Sequence, residues 1–319
     1  MQKHAQTSRC RAGFIAAWCG ALMLLAAPLM TLAAGKTVKF GAPPWPGEKV
    51  KAEIASQVLT AIGYDVEVMD AGWAIVLQGV ASGDLDVDMG IWKPTQNSMV
   101  DPMLESGEIK KVVTNVEDAQ YGVVVPQYVC AAGVTSLADL NGAADRFEHK
   151  IYGIEAGNDG NKIMEDAIAN NVYELGSWKV VPSSETGMLT EARRSIDKEQ
   201  WIAFLGWKPH WMNIEMDLCY LDDPEAIWGE ESSTVSTVAN PQFLEAQPNV
   251  AAFLRNLVIP ASIQSDWIYS YGYQQEPLQK TASDWIGNNL DTIEQWLDGV
   301  ESADGKPAFE AFKNNYNAS

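Results

Sequence analysis

Apolar residues recur along this chain in two rhythms. Val50, Ile54, Val58 and Ile62 fall at every fourth position and predict a helix over about 48–62 with one buried stripe. Gly63 follows as the glycine that ends it. Short strands are expected on either side, at 37–41 (TVKFG) and in the alternating run 64–69 (YDVEVM). Residues 73–82 read as helix and 85–91 as strand, so the chain opens β-α-β-α-β, the order of a parallel sheet with helices on both faces. A second set starts at the apolar strand 121–125, which Pro126 ends. Helix is expected over 136–148, 160–171 and 184–198, and strand over 150–154, 179–182 and 201–205. After Asp222-Asp223-Pro224 the pattern loosens into helices near 247–258, 276–288 and 291–299, with no strand expected. The expected fold class is therefore α/β with two lobes, each a mostly parallel sheet flanked by helices. Residues 35–117 and 214–319 form the first lobe and 118–213 the second, with crossings near 117–121 and 212–219.

The first 34 residues follow neither rhythm. Lys3, Arg9 and Arg11 precede an apolar run from Ala12 to about Met30, and small residues follow in Thr31-Leu32-Ala33-Ala34. A basic start, an apolar centre and a small-residue end are the parts of a secretory signal peptide, with cleavage expected after Ala33 or Ala34. A retained membrane anchor is the alternative, since the run is close to the roughly 20 residues that span a bilayer. On the signal-peptide reading the protein works outside the cytoplasm, in the periplasm. Cys10 and Cys19 leave with the signal, and Cys130 and Cys219 remain, an even pair suited to a disulfide in an oxidising compartment. Two buried thiols are the other reading.

Charge narrows the partners. The 319 residues include 22 Lys and Arg against 42 Asp and Glu, a net charge of −20. That balance argues against nucleic acid or an anionic membrane surface as the main partner. There are 12 Trp but only 3 His, one of them His4 in the leader. No GxSxG, HExxH, P-loop or GxGxxG motif occurs, so the sequence offers no nucleophile–base pair, no multi-histidine metal site and no cofactor loop. Asp84, Asp86 and Asp88 alternate with Leu85, Val87 and Met89, which makes them one wet face of a strand and not a calcium loop.

One arrangement occurs three times. Short apolar runs end in a tryptophan followed by proline or Lys-Pro, in KFGAPPWP (Trp45), MGIWKP (Trp92) and AFLGWKP (Trp207). Proline cannot continue a strand, so each indole belongs at or beyond a strand end. Ligands of open parallel sheets bind outside the carboxyl ends of the strands. Trp45 and Trp92 come from the first lobe and Trp207 from the second, so facing sheets would bring all three to one cleft. Indole faces attract cations, and aromatic cages suit quaternary ammonium groups, each desolvated ring contributing on the order of 1–2 kcal/mol. The turn Gly157-Asn158-Asp159-Gly160-Asn161 joins a strand to a helix. Its backbone N–H groups suit an oxygen of a ligand, and equally it could simply cap the helix. His210, three residues after Trp207, could bind a ligand oxygen or be structural.

The stretches PPWPG (43–47), GIWKPT (90–95), KIYGIEAGNDGN (150–161) and FLGWKPHWMN (204–213) resemble the substrate-binding proteins of ABC importers for glycine betaine and choline. The resemblance spans nearly all of the chain after the leader. It implies two α/β lobes that close over the ligand, an aromatic box of Trp45, Trp92, Tyr121 and Trp207, no enzymatic activity, no cofactor or metal, and delivery to a membrane permease. It further implies that Asn158 contacts the polar end of the ligand, with Gly157 beside it, and that His210 helps to hold a carboxylate. Choline-selective members carry an aspartate two residues after the first box tryptophan. Here that place is Gly47, followed by Glu48, which could substitute for it. Glycine betaine or a close relative is the ligand this favours, with choline and trimethylamine N-oxide as alternatives. A secreted enzyme acting on choline-like compounds is the alternative of another class.

Overall fold

The computed structural model describes residues 37–230 and 232–316. The leader expected over 1–34, and its cleavage site, lie outside the described residues. The strands are β1 (Thr37–Ala42), β2 (Asp65–Asp70), β3 (Val87–Lys93), β4 (Lys110–Pro126), β5 (Lys150–Tyr152), β6 (Lys179–Val181), β7 (Ala203–Lys208), β8 (Leu218–Tyr220) and β9 (Ser233–Ala239). They join in the order β2-β1-β3-β9-β4-β7-β5-β6, with β8 also on β4.

The parallel order read from the sequence holds at both ends of this sheet, in β2-β1-β3 and in β7-β5-β6. Its centre is antiparallel. Residues 110–119 of β4 pair with β9, and residues 120–126 pair with β7 and β8. One long strand thus belongs to both arms of the sheet. β9 corrects the expectation that the tail carries no strand, because Ser233–Ala239 inserts between β3 and β4. The run STVSTVA is rich in β-branched residues, but its serines and threonines hide it as an apolar signal. Residues 136–148 also differ, forming the 3-10 turns Leu137–Asp139 and Asn141–Phe147 and no α-helix.

The helix Pro46–Ala61 follows the first Trp-Pro turn. Pro46 opens it, where its fixed φ suits helix entry and its missing N–H costs nothing. Its stripe is buried as expected, with Val50 and Val58 fully enclosed and Ile54 1% exposed. Each such side chain contributes about 1.5–3 kcal/mol relative to exposure. That burial fixes the helix against the first arm and so fixes the turn that carries Trp45. In the other arm, a disulfide joins Cys130 to Cys219 across 89 residues, with their Cα atoms 6.3 Å apart. It ties the helix Gln127–Ala131 to β8. Among the described residues no helix is long and apolar enough to cross a membrane.

Candidate functional site

The strand ends deliver the aromatic residues to one place. Trp45 sits in the turn between β1 and the helix Pro46–Ala61, and Trp92 near the end of β3. Trp207 stands on β7 directly opposite Tyr121 on β4. Trp92 and Trp207 precede cis peptide bonds at Lys93-Pro94 and Lys208-Pro209. The Tyr121 ring lies edge-on to both, 5.9 Å from Trp92 and 5.8 Å from Trp207 between centroids. Trp45, Trp92, Tyr121 and Trp207 all line one cavity of about 470 Å³, its open mouth included. Asn158, His210 and Glu48 line the same cavity, whereas Gly157 does not. Gly157 is exposed and has φ +85°, so its part is to turn the chain.

The turns are locked by hydrogen bonds that the apolar pattern does not reveal. Behind Trp92, its backbone N–H donates to Gln96 Oε1 at 2.9 Å. Behind Trp207, its carbonyl accepts from Asn213 Nδ2 at 2.8 Å. In the GNDGN turn, Asn161 Oδ1 accepts from the Ile154 N–H at 3.1 Å and its Nδ2 donates to the Ile154 carbonyl at 2.9 Å. Asn158 caps the helix Asp159–Ala169, its Oδ1 accepting from the Gly160 N–H at 2.8 Å and from the Tyr121 hydroxyl at 3.0 Å. The side chain that caps the helix thus also lines the cavity. A side chain at Gly160 would collide with the Tyr121 hydroxyl, which explains the second glycine of the motif.

The cavity is electronegative. Glu48, Asp159 and Glu185 line it, and none of its lining residues is Lys or Arg. Burial raises the Asp159 carboxyl above its usual range, partly offset by Thr95 and Gln96. Burial likewise raises Glu155, whose Oε1 accepts from the Trp45 indole N–H at 3.1 Å. The Tyr121 hydroxyl is pushed well up, first by burial and then by the carboxylates of Asp159, Glu155 and Glu185, so the ring stays neutral. His210 is engaged on both ring nitrogens. Nδ1 accepts from the Met212 N–H at 3.1 Å, and Nε2 pairs with Glu185 Oε1 at 3.0 Å. An accepting Nδ1 fixes Nε2–H as the donor. His210 therefore packs 5.0 Å from Trp207 with no nitrogen left for a ligand oxygen, a departure from what the resemblance implies for it.

Beneath the wall, the residues Glu48, Lys51, Asp88 and Asn115 form a buried polar cluster. Lys51 is 1% exposed and donates to Glu48 Oε1 (3.1 Å), the Met89 carbonyl (2.9 Å) and Asn115 Oδ1 (3.1 Å). Burial and the nearby Glu48 push the Asp88 carboxyl up to about 7, against the Gly90 N–H and Lys51. Gly90 makes room for Glu48, since a Cβ there would lie 2.6 Å from the Glu48 carboxyl carbon. Among the described residues, no group of three or more His, Cys, Asp or Glu is placed to hold a metal ion. The placing of the three tryptophans at one cavity was legible from their Trp-Pro context, whereas Gln96, Asp159, Glu185, Gln264 and Lys51 had no signal of their own.

Comparison with known proteins places the chain in a family. The family described as the substrate-binding domain of ABC-type glycine betaine transport systems matches residues 36–288. A choline-binding protein of an ABC transporter, solved with choline bound, superposes with a TM-score of 0.85 at 30% identity, covering 88% of this chain and 98% of that one. The glycine betaine/L-proline-binding protein ProX of Borrelia burgdorferi gives 0.78 at 26% identity, covering 86% of this chain and 99% of that one. The glycine betaine/carnitine transport binding protein GbuC of Listeria monocytogenes is 29% identical over 181 residues, 56% of this chain and 60% of that protein.

Proposed function

The chain belongs to the substrate-binding domain family of ABC-type glycine betaine transport systems, and on that premise we propose that it captures a methylated ammonium compound in the box of Trp45, Trp92, Tyr121 and Trp207. The family is one of extracytoplasmic binding proteins for transport and is not enzymatic. Export by the 1–34 leader puts this member in the periplasm, where it hands its ligand to the permease of an ABC importer. Glycine betaine, choline and trimethylamine N-oxide share the trimethylated head that the box recognises. A permanently methylated cation has no N–H to donate, so ring faces serve it better than isolated polar groups. Three or four desolvated rings supply roughly 3–8 kcal/mol gross, the upper end being the scale of a micromolar ligand.

The observation that carries this reading is the convergence of four rings on a cavity walled by carboxylates with no Lys or Arg. The two arms of the sheet act as lobes that close on the ligand, with β4 continuous between them. In this sheet β8 pairs with the second arm and β9 with the first. A ligand touched from both sides binds the closed form better and shifts the population towards it. Titration of the purified protein with choline, glycine betaine and trimethylamine N-oxide, followed by tryptophan fluorescence and calorimetry, tests the reading. At least one of them binds at micromolar concentration. If all three need millimolar concentrations or more, the assignment is wrong.

A further inference from the structure

We infer that Gln264 is the residue that reads the polar end of the ligand, and that it selects a quaternary ammonium alcohol over a betaine. This rests on the aromatic-box reading above. Gln264 lies in the helix Ala261–Ile268, is 2% exposed and lines the cavity. Its amide fills the space beside Gly47, where an added Cβ would stand 2.6 Å from Nε2. The position that would carry an aspartate is thus vacated by glycine and filled from another helix by an amide. The Gln264 Oε1 is buried and has no hydrogen-bond partner in the protein.

Two further acceptors that line the same cavity share that condition. Asp159 Oδ2 and Glu185 Oε2 are buried and unpartnered, and both residues line the cavity. A buried acceptor without a donor is left unsolvated, a loss that a bound donor recovers. A hydroxyl supplies that donor. A carboxylate supplies only more acceptors and a further negative charge beside Asp159 and Glu185. His210 is spent on Met212 and Glu185; Gln96 Nε2 is an unpartnered buried donor lining the cavity, but an amide carries no charge and no lining Lys or Arg compensates for the carboxylate. Gly47 read alone points to a zwitterion, whereas Gly47 read with Gln264 points to an alcohol such as choline.

Calorimetry of choline, glycine betaine and tetramethylammonium with the purified protein, with Gln264→Met and with Gln264→Leu, tests this. Tetramethylammonium has the head group and no polar end, so it reports the box alone. Choline is expected to bind the parent at least tenfold more tightly than glycine betaine. Gln264→Met, which keeps the linear shape, is expected to weaken choline about tenfold and tetramethylammonium less than threefold. Gln264→Leu serves the same comparison if the methionine variant does not fold. Equal losses for both cations overturn the role of Gln264 and leave the box intact. An amide turned end for end would offer N–H donors, so tighter binding of glycine betaine than choline also overturns the inference. Absence of tetramethylammonium binding to the parent would instead refute the box.

Discussion

Replacing Trp207 by alanine is expected to weaken binding of the methylated ammonium ligand at least tenfold, and Trp92→Ala to do the same. Each indole closes one side of the cavity and meets Tyr121 edge-on, at 5.8 Å for Trp207 and 5.9 Å for Trp92. Alanine removes a ring face worth on the order of 1–2 kcal/mol to a desolvated cation, together with apolar contact to the methyl groups. A loss of about 1.4 kcal/mol is already tenfold in Kd. Both tryptophans are 8% exposed, so alanine also leaves a hole in the packing. Trp207→Phe separates the two effects, because it keeps a ring with a weaker face and is expected to fall between parent and alanine. Calorimetry on folded protein, checked by circular dichroism, reads the result. Parent-like binding by both alanine variants would remove the rings from the site.

The largest effect on stability is expected from Lys51→Met. Its ammonium is the shared donor for Glu48, the Met89 carbonyl and Asn115, and its side chain is fully enclosed. Methionine fills the space but leaves Glu48 as a buried charge without its cation, next to Asp88. Breaking a buried pair from one side costs about 3–5 kcal/mol. For a chain of this size that corresponds to a fall in Tm on the order of 10 °C. Removing the stranded charge as well, in Lys51→Met with Glu48→Gln, is expected to restore part of the loss. A single variant within about 2 °C of the parent by calorimetric melting would show that the lysine carries no such weight.

The two predictions rest on features of unequal visibility in the sequence. Trp45, Trp92 and Trp207 announce themselves because proline stops a strand, and a ring just before the stop lies at a strand end, where open sheets carry their clefts. Lys51 hides between Val50 and Ile54 of an apolar stripe, where a lysine ordinarily points to water. Its burial depends on acceptors from Met89 and Asn115, 38 and 64 residues away, and no local pattern encodes them. Gln264 is invisible for the same reason, since its neighbour Gly47 lies more than 200 positions earlier. The β-α-β order at both ends of the sheet was legible from period and turn residues. The antiparallel centre was not, because β9 carries its β-branched residues among serines and threonines and borrows its burial from β3 and β4.

Charge and shape can be separated in one experiment. Choline and 3,3-dimethylbutan-1-ol have nearly the same outline and the same hydroxyl, but a carbon replaces the charged nitrogen. If ring faces and carboxylates hold a cation, calorimetry with the purified protein gives choline a micromolar Kd and the neutral analogue one at least about 100-fold weaker. Equal affinity for the two would mean that the cavity selects an apolar shape, contradicting a site built for a methylated ammonium ion.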